Sequence, residues 1–236
     1  MNKFLSVIVF LFGTLVFAAD NEVYISQSGA TFNADIEQMG SGNIIGGTGS
    51  TAGSMTALDL DGATMTLDIN MIGSTNKFLG DIWADNYTGF FEFDGSSNIF
   101  NMKTDETNSY GADGSNVNVD VTGGSNVFTL NHAQSALAAN LDLDWIIQGS
   151  NNTITAAIDV DGATNYMSLD GSDNTVTYDG DGYAGGYFHL THDGGSRTFN
   201  IDQASTQDND WLKVESTGSS GTVCINQNDQ GTGVGC

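Results

Sequence analysis

A short cluster of glycine, serine and asparagine returns along almost the whole chain, and alternating runs fill the intervals between its copies. The copies read Gly40-Ser-Gly-Asn43, Gly73-Ser-Thr-Asn76, Gly95-Ser-Ser-Asn98, Gly114-Ser-Asn116, Gly124-Ser-Asn126, Gly149-Ser-Asn-Asn152, Gly162-Ala-Thr-Asn165 and Gly171-Ser-Asp-Asn174. Glycine and asparagine tolerate the left-handed backbone of a tight reversal, so each cluster reads as a turn. Several intervals lie near 11 residues or its multiples, which gives a unit of about 11 residues, one strand plus one turn, and a coil of about 22. That rhythm predicts an all-β chain, a β-solenoid of stacked strand-turn-strand units. The chain has 31 glycines and no proline, as continuous ladders require, because proline cannot donate to one.

Between the turns, residues alternate with period two, as in Met65-Thr-Leu67-Asp-Ile69-Asn-Met71, Val117-Asn-Val119-Asp-Val121 and Leu141-Asp-Leu143-Asp-Trp145. Successive strand side chains point to opposite faces, so the apolar set forms an inward stripe and Asp, Asn and Thr an outward one. Trp145 falls in the inward phase. About 200 residues at about 22 per coil, with coils about 4.8 Å apart, give roughly nine coils and a stack of about 43 Å.

Glutamine departs from this pattern by standing two positions after isoleucine, at Ile25/Gln27, Ile36/Gln38, Ile146/Gln148, Ile201/Gln203 and Ile225/Gln227. A buried amide needs partners, and stacked identical amides supply them to one another. Gln27, Gln38, Asn43, Gln148, Gln203 and Gln227 are therefore candidate ladder residues. The alternative is that these amides flank turns and reach solvent.

Ile25-Ser-Gln27-Ser-Gly29, followed by Ala34, Gln38, Gly40, Gly42 and Asn43, resembles the curlin repeat, in which Gln-x-Gly-x-Gly-Asn precedes Ala and a second Gln. The resemblance is clear over 21–43, returns at Val223-Cys-Ile225-Asn-Gln227, and persists between them only as rhythm. It implies a β-solenoid, export to the cell surface, and a subunit of an adhesive, amyloid-like extracellular fibre.

Met1-Asn2-Lys3, the apolar run from Phe4 to Phe17 and Ala18-Ala19 read as a signal peptide over 1–19. The expected order is then curlin-like repeats over 20–222 and a C-terminal tail or cap over 223–236. No later stretch reaches the ~20 apolar residues of a membrane span. All 29 acidic residues follow the signal and Lys3 lies within it, so the mature chain carries 4 − 29 = −25 formal charges. Nucleic acid, whose phosphates need Lys and Arg, is disfavoured as a partner.

Catalysis is not expected. His132, His189 and His192 are the only histidines, and no nucleophile has a recognisable setting. His189 and His192 are three apart on an apparent strand and its turn, which directs them to opposite sides. Asp159, Asp161, Asp179 and Asp181 are weak calcium candidates, without the remaining ligands of an EF-hand loop. Thr153, Thr155, Thr175 and Thr177 raise an ice-binding face, but the pattern does not recur at every coil. Cys224 and Cys236, the only cysteines, suit a disulfide in an oxidising compartment that pins the tail over the last coil; intermolecular bridges and free thiols are the alternatives.

The leading expectation is a secreted structural or adhesion protein, without cofactor, that associates with itself or with other fibre subunits at a cell, particle or appendage surface. The rival is a capped monomeric module that binds calcium or a glycan through Asp, Asn, Trp145 and Trp211, although the alternation of Trp145 with Leu141 and Leu143 favours core packing for it.

Overall fold

The computed structural model describes residues 22–46, 58–104, 114–132, 140–159, 162–182, 185–205 and 210–228. The expected signal peptide lies outside them. In chain order the strands are β1 (Glu22–Val23), β2 (Ser26–Ser28), β3 (Thr31–Met39), β4 (Ile44–Ile45), β5 (Leu58–Ile72), β6 (Lys77–Asp94), β7 (Ile99–Thr104), β8 (Asn116–Thr122) and β9 (Val127–His132). They continue as β10 (Asp142–Gln148), β11 (Thr153–Asp159), β12 (Thr164–Asp170), β13 (Asn174–Gly182), β14 (Tyr187–Asp193), β15 (Arg197–Ser205), β16 (Trp211–Thr217) and β17 (Thr222–Asn228). The described residues contain no helix.

The ladders are parallel and connect each strand to its equivalent one coil later, as in β8–β10–β12 and β9–β11–β13. This is a β-solenoid of about seven turns. One face, here face 1, runs through β1, β2, β4, the first part of β5 and of β6, β7, β9, β11, β13, β15 and β17. Face 2 runs through β3, the remainder of β5 and of β6, β8, β10, β12, β14 and β16. The coil count falls below nine because successive turn asparagines stand 33, 22, 28, 26 and 22 residues apart. Only some coils have the minimum length.

The inward stripes meet between the two faces. Leu67, Phe91, Val119, Trp145, Met167 and Leu190 are buried on face 2, and Phe78, Phe100, Phe128, Ile154, Val176 and Phe199 on face 1. Phe78 and Phe100 stack at 5.3 Å, and the Trp145 ring meets Phe100 and Phe128 edge-on at 6.4 and 6.1 Å. Each such side chain contributes roughly 1.5–3 kcal/mol by burial. In-register stacking places like on like, so alternation within one strand is inherited by the next.

The corner from face 2 to face 1 carries the Gly-Ser-x-Asn cluster. Its first glycine stacks from Gly40 through Gly73, Gly95, Gly123, Gly149, Gly171 and Gly194 to Gly218. A Cβ on any of these from Gly73 onward would lie 1.8–2.2 Å from the carbonyl oxygen of the glycine one coil earlier. The third position holds the left-handed backbone, at Thr75, Ser97, Ser125, Asn151 and Asp173 with φ of 59–63°. Hydrogen bonds pass directly from corner to corner, for example Gly149 N–H to the Asp170 carbonyl at 2.7 Å and Asn151 N–H to the Ser172 carbonyl at 2.9 Å.

Three sequence expectations change here. The asparagine of the cluster is not the left-handed residue; it is buried in the following position. The fourth corner begins at Gly123, one residue before the Gly124 cluster. Asn116 and Asn165 belong to strands β8 and β12 near the opposite corner. That far corner, between Thr104 and β8, between His132 and β10, and after β11, β13 and β15, absorbs the added length of later coils.

Candidate functional site

The cluster asparagines form a continuous internal column. The backbone N–H of Asn43 donates to Oδ1 of Asn76 at 3.0 Å, Asn76 to Asn98 at 2.9 Å, Asn98 to Asn126 at 2.8 Å, Asn126 to Asn152 at 3.0 Å and Asn152 to Asn174 at 2.9 Å. All six are buried. Side-chain amides of Asn76 and Asn174 donate to the carbonyls of Gly73 and Gly149 at 3.0 and 3.1 Å. Asn43 opens this column of asparagines, which spans the corner, through its backbone N–H. The signal for it was in the sequence: the third position of the cluster varies while the fourth stays Asn.

The glutamines are arranged differently from the expected ladder. Gln203 and Gln227 are in register on β15 and β17. Their Nε2 groups donate across the coil to the carbonyls of Gly186 and Asp210, each at 3.2 Å, so a far-corner carbonyl rather than a stacked amide accepts from each. Gln27 pairs with Leu60 and Gln38 with Met71. Gln148 is exposed and pairs with Thr122 and Asp170. Trp145 and Ile147 take the inward phase on β10, which turns Ile146 and Gln148 outward.

The end rungs present the site with most to offer a partner. The boundary expected at 222/223 falls inside β17, a full strand paired with β15. Val223 and Ile225 continue the inward column of Phe199 and Ile201 and are 42% and 47% exposed, and no rung among the described residues covers them. At the opposite end Val23, Ile25, Phe32, Ala34 and Ile36 are only partly buried against the core. Val23 and Ile45 are register partners, and Asp59 N–H donates to the Ile25 carbonyl at 3.0 Å, so these residues open the columns that Val223 and Ile225 close. The first rung of face 1 reads Val23-x-Ile25-x-Gln27 inward and the last reads Val223-x-Ile225-x-Gln227. No family model, curated protein or solved structure matches the chain.

Of the calcium candidates, Asp179 and Asp181 are exposed on β13 of face 1. Asp159 and Asp181 are in-register backbone partners on β11 and β13, while Asp161 lies outside the described residues. Asp179 faces Asp202 across β13–β15. Partial burial, then the Asp202 and Asp181 carboxylates, push the Asp179 carboxyl above its usual range. On face 2, burial and then Asp142 and Asp120 do the same to Asp144. Among the described residues no three His, Cys, Asp or Glu side chains converge as a metal site.

The histidines divide as alternation requires. His189 faces outward and contacts Glu215 at 3.0 Å. His192 is buried, with Nδ1 3.1 Å from the Ser216 hydroxyl and Nε2 3.1 Å from the Gly171 carbonyl. His132 is fully buried, 2.5 Å from the Thr104 hydroxyl, and burial lowers its pKa to about 4.

Cys224 pairs with Asn200 and alternates with the inward Val223 and Ile225, so it belongs to the outer column of face 1. Cys236 lies outside the described residues.

Proposed function

We propose that the chain is a secreted, non-enzymatic structural subunit that stacks head to tail, the last rung of one copy receiving the first rung of the next, to build an extracellular fibre or matrix. The observation that carries this reading is the identical inward triplet at the two ends, Val23, Ile25 and Gln27 against Val223, Ile225 and Gln227. Within the chain, parallel in-register stacking already brings Phe199, Ile201 and Gln203 onto Val223, Ile225 and Gln227. A second copy would extend the same columns and bury the half-exposed Val223 and Ile225. The strand edges at both ends, which have no partner among the described residues, template that addition through backbone hydrogen bonds. The resemblance to curlin repeats, concentrated in the same terminal segments, supports the same role.

Negative-stain microscopy of the mature chain tests it, alongside an Ile225→Asp variant. Rods much longer than a single solenoid are expected from the natural sequence and isolated short rods from the variant. Short rods from both, at concentrations in the tens of micromolar and across mildly acidic to neutral pH, would overturn the assignment.

A further inference from the structure

Outward positions on most of the solenoid carry Asp, Asn or Thr, but the last coils of face 2 carry aromatic rings. Tyr187 on β14 and Trp211 on β16 are in register, and their rings stack with centroids 4.2 Å apart and an interplanar angle of 0°. Tyr166 on β12 lies diagonally beside Tyr187 at 5.3 Å. His189 meets the Tyr166, Tyr187 and Trp211 rings edge-on at 5.9, 6.5 and 5.9 Å, holding the three as one platform. Tyr166 and Trp211 are 42% and 41% exposed. Trp211 stands on the last face 2 strand, so Tyr187 covers one face of the indole and no described rung follows on the other.

A polar trough borders this platform. It has a volume of about 310 Å³ and is lined on its outward side by Ser168, Asp170, Thr191, Asp193, Glu215 and Thr217. Glu215 belongs to both features, accepting from Lys213 Nζ at 2.8 Å and meeting His189 Nε2 at 3.0 Å. Those two neighbours hold its carboxyl below the usual range, so it remains an acceptor. Cross-strand stacking stabilises a sheet, which accounts for the Tyr187–Trp211 pair. It does not account for a half-exposed indole beside a trough of hydroxyls and carboxylates. Ligand sites combine such apolar surface with a few placed polar groups, and 310 Å³ is near the lower end of their usual volume.

We infer that the C-terminal part of face 2 binds a neutral oligosaccharide, with the C–H-rich face of a sugar ring laid on the open face of Trp211, which Tyr187 backs, and its hydroxyls hydrogen-bonded to Glu215, Lys213 and the trough. A saccharide ring is apolar on its faces and polar at its rim, the same division that platform and trough present. Asp170, Asp193 and Glu215 repel sulfated or uronic glycans, which selects for uncharged ones. Trp211 stands on the rung that head-to-tail stacking would cover, so the sugar is read on the unassembled chain.

Titration calorimetry of the full mature chain, kept dilute enough to remain unassembled, against cellohexaose, chitohexaose, maltohexaose and laminarihexaose tests the inference. Binding of at least one is expected, with Trp211→Ala lowering its affinity at least tenfold, Trp211→Phe less, and Glu215→Gln severalfold. Thr155→Val, on face 1, should leave it unchanged. Circular dichroism of each variant checks folding, and Glu215→Gln keeps the test decisive if Trp211→Ala does not fold. No binding by any of the four sugars, affinity indifferent to both Trp211→Phe and Glu215→Gln, or binding of heparin or polylysine in their place would overturn it.

Discussion

The backbone amide of Asn98 donates a 2.8 Å hydrogen bond to the side-chain Oδ1 of Asn126, one coil and 28 residues further along the chain. Both residues are buried, so the corner has no water to take over this acceptor's part. Asn126→Ala leaves a buried N–H without a partner and opens a cavity beside Ser125. A loss of about 2–4 kcal/mol in denaturant unfolding is expected. Asn126→Asp keeps the acceptor but buries a charge, and should be more destabilising at pH 7 than at pH 4.

The glycine column separates two costs that usually arrive together. Gly40 and Gly149 both have positive φ, 119° and 141°, yet a Cβ on Gly40 meets nothing closer than Asn43 Nδ2 at 3.8 Å, while one on Gly149 falls 2.1 Å from the Gly123 carbonyl. Gly40→Ala should therefore cost about 1–3 kcal/mol, the backbone strain alone. Gly149→Ala should cost more than about 4 kcal/mol or prevent folding, because backbone blocks the space. Thermal unfolding of the two variants side by side measures the difference.

His132 makes stability depend on acid. Its folded pKa is lowered from 6.5 to about 4, so the unfolded chain takes up the proton first as pH falls. The stabilisation is fully present above pH 6.5 and is lost between 6.5 and about 4, on the order of 3 kcal/mol. His132→Gln preserves hydrogen bonding toward Thr104 without titrating. Its stability should fall less than that of the natural chain between pH 7 and pH 4.5, and equal losses would show that other groups govern the effect.

Acid acts on the outside in the opposite sense. Folded-state pKa values of Asp144 and Asp179 are raised, so the folded chain holds their protons more readily, and their repulsion is relieved as pH falls through those values. With a sequence pI near 4.1, copies that repel at pH 7 should associate on acidification. Light scattering at micromolar concentration should rise between pH 7 and 4 with the strand signal in circular dichroism retained. A flat trace counts against a polymerising subunit.

The proposed Cys224–Cys236 bridge closes a small loop and contributes about 3 kcal/mol in the chain-entropy model. Cys224→Ser should lower stability by up to that amount and leave assembly intact, since Cys224 lies outside the core column. Loss of assembly in the variant would place the tail at the stacking surface instead.

Fold class, turn clusters and the inward stripe were legible in the chain because each is a local consequence of side-chain order: period two assigns faces, and glycine permits the corner. Met65 to Met71, Val117 to Val121 and Phe199 to Ile201 are buried as alternation required. Only stacking decided which side chains meet across 22 to 33 residues. It turned Gln148 outward through the phase of Trp145, gave Gln203 a far-corner carbonyl in place of another amide, and brought Tyr187 onto Trp211. Each of these depends on how many residues the far corner inserts, and a parallel ladder passes that count on as register. Alternation within a strand cannot report it; the rung above and the rung below can.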